Sequence, residues 1–554
     1  MVKKREKGMK YYRLQVGIVF GLFILCLGEL IFLAPVFGAP GIPSEKTVLR
    51  YGIHTSQIGN FDPDYAKGAE DSVFADMVFN SLVRYVPGDS SRLEPDLAIK
   101  IPEFEIRGGK QIWTIGLRKG ILFQAGPQTK PYELTAEDVV YSLQKAADPE
   151  RSVSFGTYAG MKFEAVDAHS LRIIVGKPMS PLFFLPLIAN RMGGFIHSKQ
   201  AIEAAGYENY KQHPVGTGPF AFSRFTAGDK LVLNANENYF RGKPLLDKIE
   251  VYFIPDNEKR EAAFKSGLLD VIYGVGDPGW IEKMEKAPDT IIDVFGPGFT
   301  GLLHFNTSIK PMDDIRVRQA ISFALDRDLI TAATSRQLAE PVYSPISSGF
   351  TPGGLTNEQI VNLGLHVNKD LVKARQLMAA AGYADGFSMD LVTSEKRVYL
   401  KTYEIIKAQL AQIGIRINLR VEPHSQMHKL IRQNVNGLVL YFTFRPNTDS
   451  YLRGFFHSDA VVMTGAKPNT NFSHYTKIDR LLDDALKTIH PKEQIKLWEQ
   501  AQIRILHDVM VYPLFNINEC SVRRGYVSYG HSQDSTQAGY PQFDEKTRMN
   551  KLLK

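Results

Sequence analysis

Two histidines stand four residues apart in the stretch PHSQMHKL, at His424 and His428. On a helix that spacing puts both imidazoles on one face, an arrangement from which two ring nitrogens can hold one metal ion. Two ligands do not complete a metal site, and no HExxH or paired CxxC accompanies them, so a solvated or packed pair is expected and no metal is assigned. GTGPFA, at residues 216–221, loosely fits the glycine-rich dinucleotide fingerprint. That motif works only where a helix N-terminus follows and turns its amides to the pyrophosphate. Here Pro219 and the alternating FAFSRF indicate a tight turn into a strand, and no cofactor is assigned. Hydrolase chemistry needs a nucleophile, a base and an oxyanion hole converging in space, and the chain has no GxSxG elbow. No catalytic residue is assigned either, and the expectation is a protein that is not an enzyme.

The elements that must carry such residues belong to a large globular chain. It has 554 residues, 44% hydrophobic and 23% charged, far from disordered or fibrous composition. At about 150 residues per domain, three or four structural units are expected. The net charge is +7, but residues 1–38 hold six basic residues against Glu6 and Glu29, so the remainder carries +3. No basic stripe lies beyond the N-terminus, which argues against a nucleic-acid partner. The N-terminus itself reads as an export signal: basic MVKKREKGMKYYR, an apolar run from Leu14 to Phe37, then small residues at Gly38 and Ala39. Cleavage after Gly38 is favoured, and a retained membrane anchor at residues 1–38 is the competing reading, because the run reaches spanning length if Glu29 is tolerated. Cys26 follows Phe23, Ile24 and Leu25, too bulky for lipid attachment, and removal of the signal leaves Cys520 as a lone thiol.

VLRYGI from Val48 reads as a strand and HTSQIGNFDPDY as a polar, turn-rich stretch after it. AEDSVFADMVFNSLVRY places Val73, Met77, Val78 and Leu82 at helical spacing, as core residues. WTIGLRKGILF alternates like a half-buried strand, and LTAEDVVYSLQKA is a helix with Thr135 at the cap and Asp138 three residues later. IRVRQAISFALDRDLI and KTYEIIKAQLAQIGI read as amphipathic helices, the second leading into the strand RINLRV. Strand and helix alternate throughout, so the class is α/β or α+β.

Five blocks, in order, resemble the solute-binding proteins of the dipeptide, oligopeptide and nickel import family, family 5 of the bacterial extracellular solute-binding proteins. They are WTIGLRKGILFQAG, ELTAEDVVYSLQKAADP, HPVGTGPFAFSRFTAGDKLVLNANENYFRGKPLLDKIEVYFIPD, FNTSIKPMDDIRVRQAISFALDRDLI and ARQLMAAAGYADGF. The resemblance runs from about Val48 to about Val527. It implies an α/β, two-lobed type II periplasmic-binding-protein fold with an inserted subdomain and hinge closure. By block order, lobe I comprises residues 46–84, 212–295 and 512–554, the inserted subdomain 85–211, and lobe II 296–511. The function it implies is that of the solute-binding component of an ABC-type importer, periplasmic or tethered to the outer face of the cytoplasmic membrane. A monomer would deliver a small peptide-like or other organic solute to permease subunits. The alternatives are a membrane-anchored hydrolase or amidase on the same fold, and a receptor presenting its ligand to a sensor.

In peptide-binding relatives an aspartate within a segment resembling GWxxDYPDPxxFL pairs with the ligand's ammonium group. The corresponding segment here is LYFTFRPNTDSYL, with Phe442, Phe444 at the aspartate position, Arg445 beside it, and Asp449 as the alternative under a shifted register. A phenyl ring accepts no such hydrogen bond and Arg445 repels an ammonium, so an anionic or N-blocked ligand is expected. Pocket-facing loops of the resemblance add Phe61, Tyr65, Lys67, Trp280 and Arg397 as candidate contacts. Phe61 and Trp280 have a core alternative, and Lys67 and Arg397 a surface alternative. Lys67, Arg397 and Arg445 converging on one cleft would suit a carboxylate-bearing ligand.

Overall fold

A computed structural model describes residues 47–550, apart from 66–68, 192 and 538. The signal or anchor at 1–38 and the candidate contact Lys67 lie outside the described residues. Eleven strands position the cleft: β1 (Val48–Ile53), β2 (Phe220–Thr226), β3 (Lys230–Ala235), β4 (Lys248–Phe253), β5 (Val271–Tyr273), β6 (Thr290–Phe305), β7 (Ala339–Pro341), β8 (Phe387–Ser394), β9 (Ile415–Glu422), β10 (Leu438–Thr443) and β11 (Val511–Arg524). Nine of them form one sheet in the order β10-β6-β11-β5-β1-β4-β3-β2, with β7 also on β11. β1 runs parallel to β4 and β5, and β8 and β9 form a separate parallel pair.

The two long strands tie the halves together. β6 has 16 residues and β11 has 14, and they pair antiparallel in two stretches, Thr290–Phe295 with Arg524–Glu519 and Phe299–His304 with Ile517–Val511. Pairing breaks at Gly296-Pro297-Gly298. A Cβ on Gly298 would meet the Ile517 carbonyl oxygen at 1.8 Å, so only glycine lets the strands pass this closely. On one side of the break lies an apolar core built from Leu49, Tyr51, Phe61, Ile249, Val251 and Val271, and on the other one built from Leu302, Ile321, Ile406, Leu440, Trp498 and Phe515. A third core, including Trp113, Phe123, Val139 and Ile173, fills the region between Leu82 and Val215 around a four-stranded sheet.

Local chemistry explains the elements. The helix Ala136–Ala146 (α1) starts where the Asp138 carboxylate accepts from the Thr135 amide at 3.0 Å, as the Thr-x-x-Asp spacing requires. FAFSRF is strand β2, so GTGPFA is the expected turn. The stretch from Val73 to Leu82 departs from expectation. Its helix spans only Ala75–Val78, and Val83–Val86 is a strand. The Val78 carbonyl accepts from the Gly218 amide at 2.9 Å, which ends the helix early; Val73, Met77, Val78 and Leu82 are nevertheless buried. IRVRQAISFALDRDLI divides into Ile315–Ala324 and Arg327–Thr334, because the Asp326 side chain caps the second helix by accepting from the Leu329 amide. Arg397–Leu410 (α3) and β9 follow the sequence pattern.

Candidate ligand cleft

In open α/β sheets the crevice beyond the carboxyl ends of parallel strands is where side chains and helix N-termini converge on a ligand. Here two such ends face each other. β1 and β5 end at Ile53 and Tyr273, followed by His54 and by the helix Pro278–Glu285 (α2), whose N-cap is Asp277. β8 and β9 end at Ser394 and Glu422, followed by α3 and by the helix His424–Arg432 (α4). Arg397, at the start of α3, reaches Asp277 with Nη1 2.7 Å from Oδ2. This ion pair bridges the two sets of strand ends.

The pair engages one of the three expected cations with a protein carboxylate. Trp280 is also occupied: its ring nitrogen donates to Glu261 Oε2 at 3.0 Å, and the ring packs against two small apolar clusters. Phe61 is a core residue, 2% exposed and in edge contact with Phe74, Phe222 and Phe225. Tyr65 donates its hydroxyl to the Glu150 carbonyl, and Lys211 lies over its ring at 5.2 Å. Asp449 belongs to the helix Thr448–Phe456 (α5), buried and held by Arg453 Nε at 3.1 Å. Burial raises its pKa, Arg453 opposing. A shifted register therefore presents no free carboxylate from this helix.

Phe442, Phe444 and Arg445 occupy the end of β10 and the loop before α5. Phe442 leans on Tyr399 and Phe515, with ring centroids 5.1 and 5.4 Å away, and its ring fills the space above Gly301. Phe444 is half-buried. Arg445 is half-buried as well, forms no ion pair among the described residues, and has its guanidinium carbon 5.7 Å from the Phe455 ring centre. Its Nε is buried without a hydrogen-bond partner. Next to it, Pro446 and Asn447 help line a cavity of about 500 Å³, with Tyr158, Phe183, Arg191 and Phe350 opposite. A second cavity, about 280 Å³, shares Phe350 and is lined by Glu340, Ser347 and Asn516. Asn516 is oriented by Thr300, whose hydroxyl donates to it at 2.8 Å.

One group escaped the sequence reading. His54 stacks on Tyr273 at 4.3 Å and on Tyr540 at 5.9 Å, and Tyr273 donates to Glu519 Oε2 at 2.7 Å. Glu519 forms no ion pair among the described residues, and burial raises its pKa. The signal was Asn516, Asn518 and Glu519 within four residues of a largely apolar strand, VYPLFNINECSV. Polar residues there must meet either a partner or a cavity.

A two-lobed α/β molecule, with strand ends opposed across a cleft and cavities beside it, defines the class of bound-solute carriers. The chain belongs to the bacterial extracellular solute-binding proteins, family 5, whose middle-region model matches residues 92–461. Heme-binding protein A of Haemophilus influenzae is 27% identical over 471 residues, 80% of this chain and 82% of that one. The dipeptide-binding protein of Escherichia coli is 26% identical over 460 residues, 78% and 82% of the two chains. Among solved structures, MoaA of A. tumefaciens R10 in complex with mannopinic acid is 33% identical, with a TM-score of 0.67 over 91% of this chain and 100% of that one. HbpA2 of Haemophilus parasuis is 25% identical, with a TM-score of 0.76 over 91% and 99%. This chain is a solute-binding protein, and the relatives it matches are binding proteins. The family is extracellular, and no helix among the described residues is long and apolar enough to cross a membrane.

Proposed function

We propose that the cleft captures a small peptide-like or other organic solute whose acidic group pairs with Arg445, and whose amino terminus is blocked or absent. The observation that carries this reading is the half-buried Arg445 guanidinium with no ion pair among the described residues and an unpartnered Nε, next to Phe444, which takes the position where peptide-binding relatives carry an aspartate. The solute is held unchanged, by a monomer in the periplasm or tethered to the outer face of the membrane, and passed to permease subunits. Lobe I is residues 46–84, 212–295 and 512–554, the inserted subdomain 85–211 and lobe II 296–511. The three apolar cores and the break in β6 at Gly296 support that partition in outline, except that Tyr512, Leu514 and Phe515 pack in the core of lobe II, which moves the boundary in β11 to about Ile517. Closure then bends β6 and β11 near the break, as hinges at element ends do.

A second reading has its own observation. Glu519 places a carboxylate beside the His54–Tyr273 stack, where a ligand ammonium would find both a charge and aromatic faces. Calorimetric titration of matched free and N-acetylated dipeptides separates the two. Under the first reading the acetylated peptide binds tighter, and Arg445→Ala weakens it roughly tenfold to a hundredfold, the equivalent of about 1.5–3 kcal/mol for a charge-assisted contact. Tight binding of the free peptide, unaffected by Arg445→Ala and abolished by Glu519→Gln, overturns the first reading in favour of the second.

A further inference from the structure

We propose that His424 and His428 form a two-imidazole site for a borderline transition-metal ion, Ni²⁺, Cu²⁺ or Zn²⁺, at the carboxyl end of the β8–β9 pair. Their Nε2 atoms point at each other across 3.1 Å, with the rings at 76°. Two imidazoles bound to one ion at about 2.0–2.1 Å, with an angle between 90° and the tetrahedral value, have nitrogens roughly 2.9–3.4 Å apart. The pair is therefore already spaced as two adjacent vertices of a coordination polyhedron, and an ion replaces the N–H···N contact once the rings turn so that both lone pairs converge on it.

The surroundings hold the rings as metal-binding imidazoles are held. His424 Nδ1 lies 3.0 Å from Ser394 Oγ, at the end of β8, which orients the ring from behind. Tyr399 packs against both rings, at 5.3 and 6.4 Å, and carries the contact on to Phe442. Burial, then the neighbouring charges of His424, Arg432 and Lys396, hold His428 down to about 4, and burial also lowers His424. Arg432 Nη1 stands 3.4 Å from His428 Nδ1, which must carry the proton once Nε2 coordinates. The guanidinium has two other acceptors, the His428 carbonyl at 2.9 Å and Tyr441 Oη at 3.1 Å, and its charge opposes the ion. The remaining coordination positions are left to water or to donor atoms of a small molecule. A competing cluster, Asp62, Asp64 and His197, already surrounds the Lys145 ammonium, 2.9 Å from Asp62, where an ion would sit.

The test is equilibrium binding of NiCl₂, CuCl₂, ZnCl₂ and MgCl₂ to the full chain after chelator treatment, comparing wild type, His424→Ala, His428→Ala and Arg432→Gln. The expected result is one equivalent of each transition metal, tightest for Cu²⁺, with no uptake of Mg²⁺. Each histidine variant then loses at least tenfold in affinity, Arg432→Gln gains severalfold, and Cu²⁺ electron resonance shows coupling to two nitrogens. No stoichiometric binding by the wild type, or binding undiminished in both histidine variants, overturns the proposal. Folding of the variants is checked by retention of the wild-type thermal transition without metal. Because no organic solute takes part, the result is independent of how Arg445 and Glu519 are assigned.

Discussion

Lys145→Met should destabilise the protein by about 3–5 kcal/mol at neutral pH, the range for removing one partner of a buried ion pair. The Lys145 side chain is 1% exposed, with its ammonium 2.9 Å from Asp62 and 2.5 Å from Asp64, carboxylates that are 0% and 1% exposed. The remaining contacts do not neutralise them. Tyr207 donates to Asp62 and the Gly193 amide to Asp64, while His197 Nε2 stands 3.7 and 3.6 Å from the two. Burial alone would raise the Asp64 pKa, but the charge of Lys145 and then His197 hold it well below the usual carboxylate range. Burial would likewise lower Lys145, and the charges of Asp64 and Asp62 raise it instead.

The pH dependence follows from those directions. A depressed carboxylate contributes stability that is present above its unfolded pKa, about 3.9, and is lost as pH falls through the folded value. A raised lysine contributes stability that is present below about 10.4 and is lost as pH rises through its folded value. The cost of Lys145→Met should therefore be full between roughly pH 4 and 10 and shrink below that window, as Asp64 takes up a proton. Urea titrations at pH 7 and pH 2.5, read by fluorescence of Trp113 in the neighbouring core, measure it. Lys145→Met/Asp64→Asn should recover more than about 1 kcal/mol of the loss, since the two positions are in contact. A loss under about 1 kcal/mol at pH 7, or one that is the same at pH 2.5, would refute the reasoning.

Two further outcomes follow from the cleft. Asp277→Asn should weaken ligand binding by no more than about fivefold, since exposed pairs contribute about 0.2–1 kcal/mol, and the effect should fade in high salt; titrations at low and high ionic strength check this. Gly301→Ala puts a methyl 2.3 Å from the Phe442 ring, with an expected cost of about 1–3 kcal/mol in thermal or urea unfolding and a shifted Phe442 wall in the variant's crystal structure.

Much of the scaffold was legible because its signals are local. Thr135 and Asp138 act within one helical turn, and the alternation in FAFSRF reports one strand's two faces. The same locality explains the errors. Val73 to Leu82 has helical spacing, yet Gly218, some 140 residues on, takes the Val78 carbonyl and the chain turns into a strand. Asp326 lay unnoticed inside a single amphipathic pattern, because capping depends on where the preceding helix stops.

The candidate site was harder for a related reason: a side chain's type states what it can bind, while its availability depends on what the fold places beside it. Arg397 and Arg445 offer the same guanidinium, one after β8 and the other after β10. Arg397 meets Asp277, which lies 120 residues earlier, and its charge is answered within the protein. Arg445 has an aromatic ring on one side and an unanswered Nε. Glu519 and Asp449 repeat the contrast among the acids, one bonded only to a phenol at the strand ends, the other closed inside α5 by Arg453. Ligand charge is therefore read from the groups the fold leaves unanswered: one guanidinium just after β10 and one carboxylate within β11. That is why the free and acetylated peptides, tested against Arg445→Ala and Glu519→Gln, discriminate where composition could not.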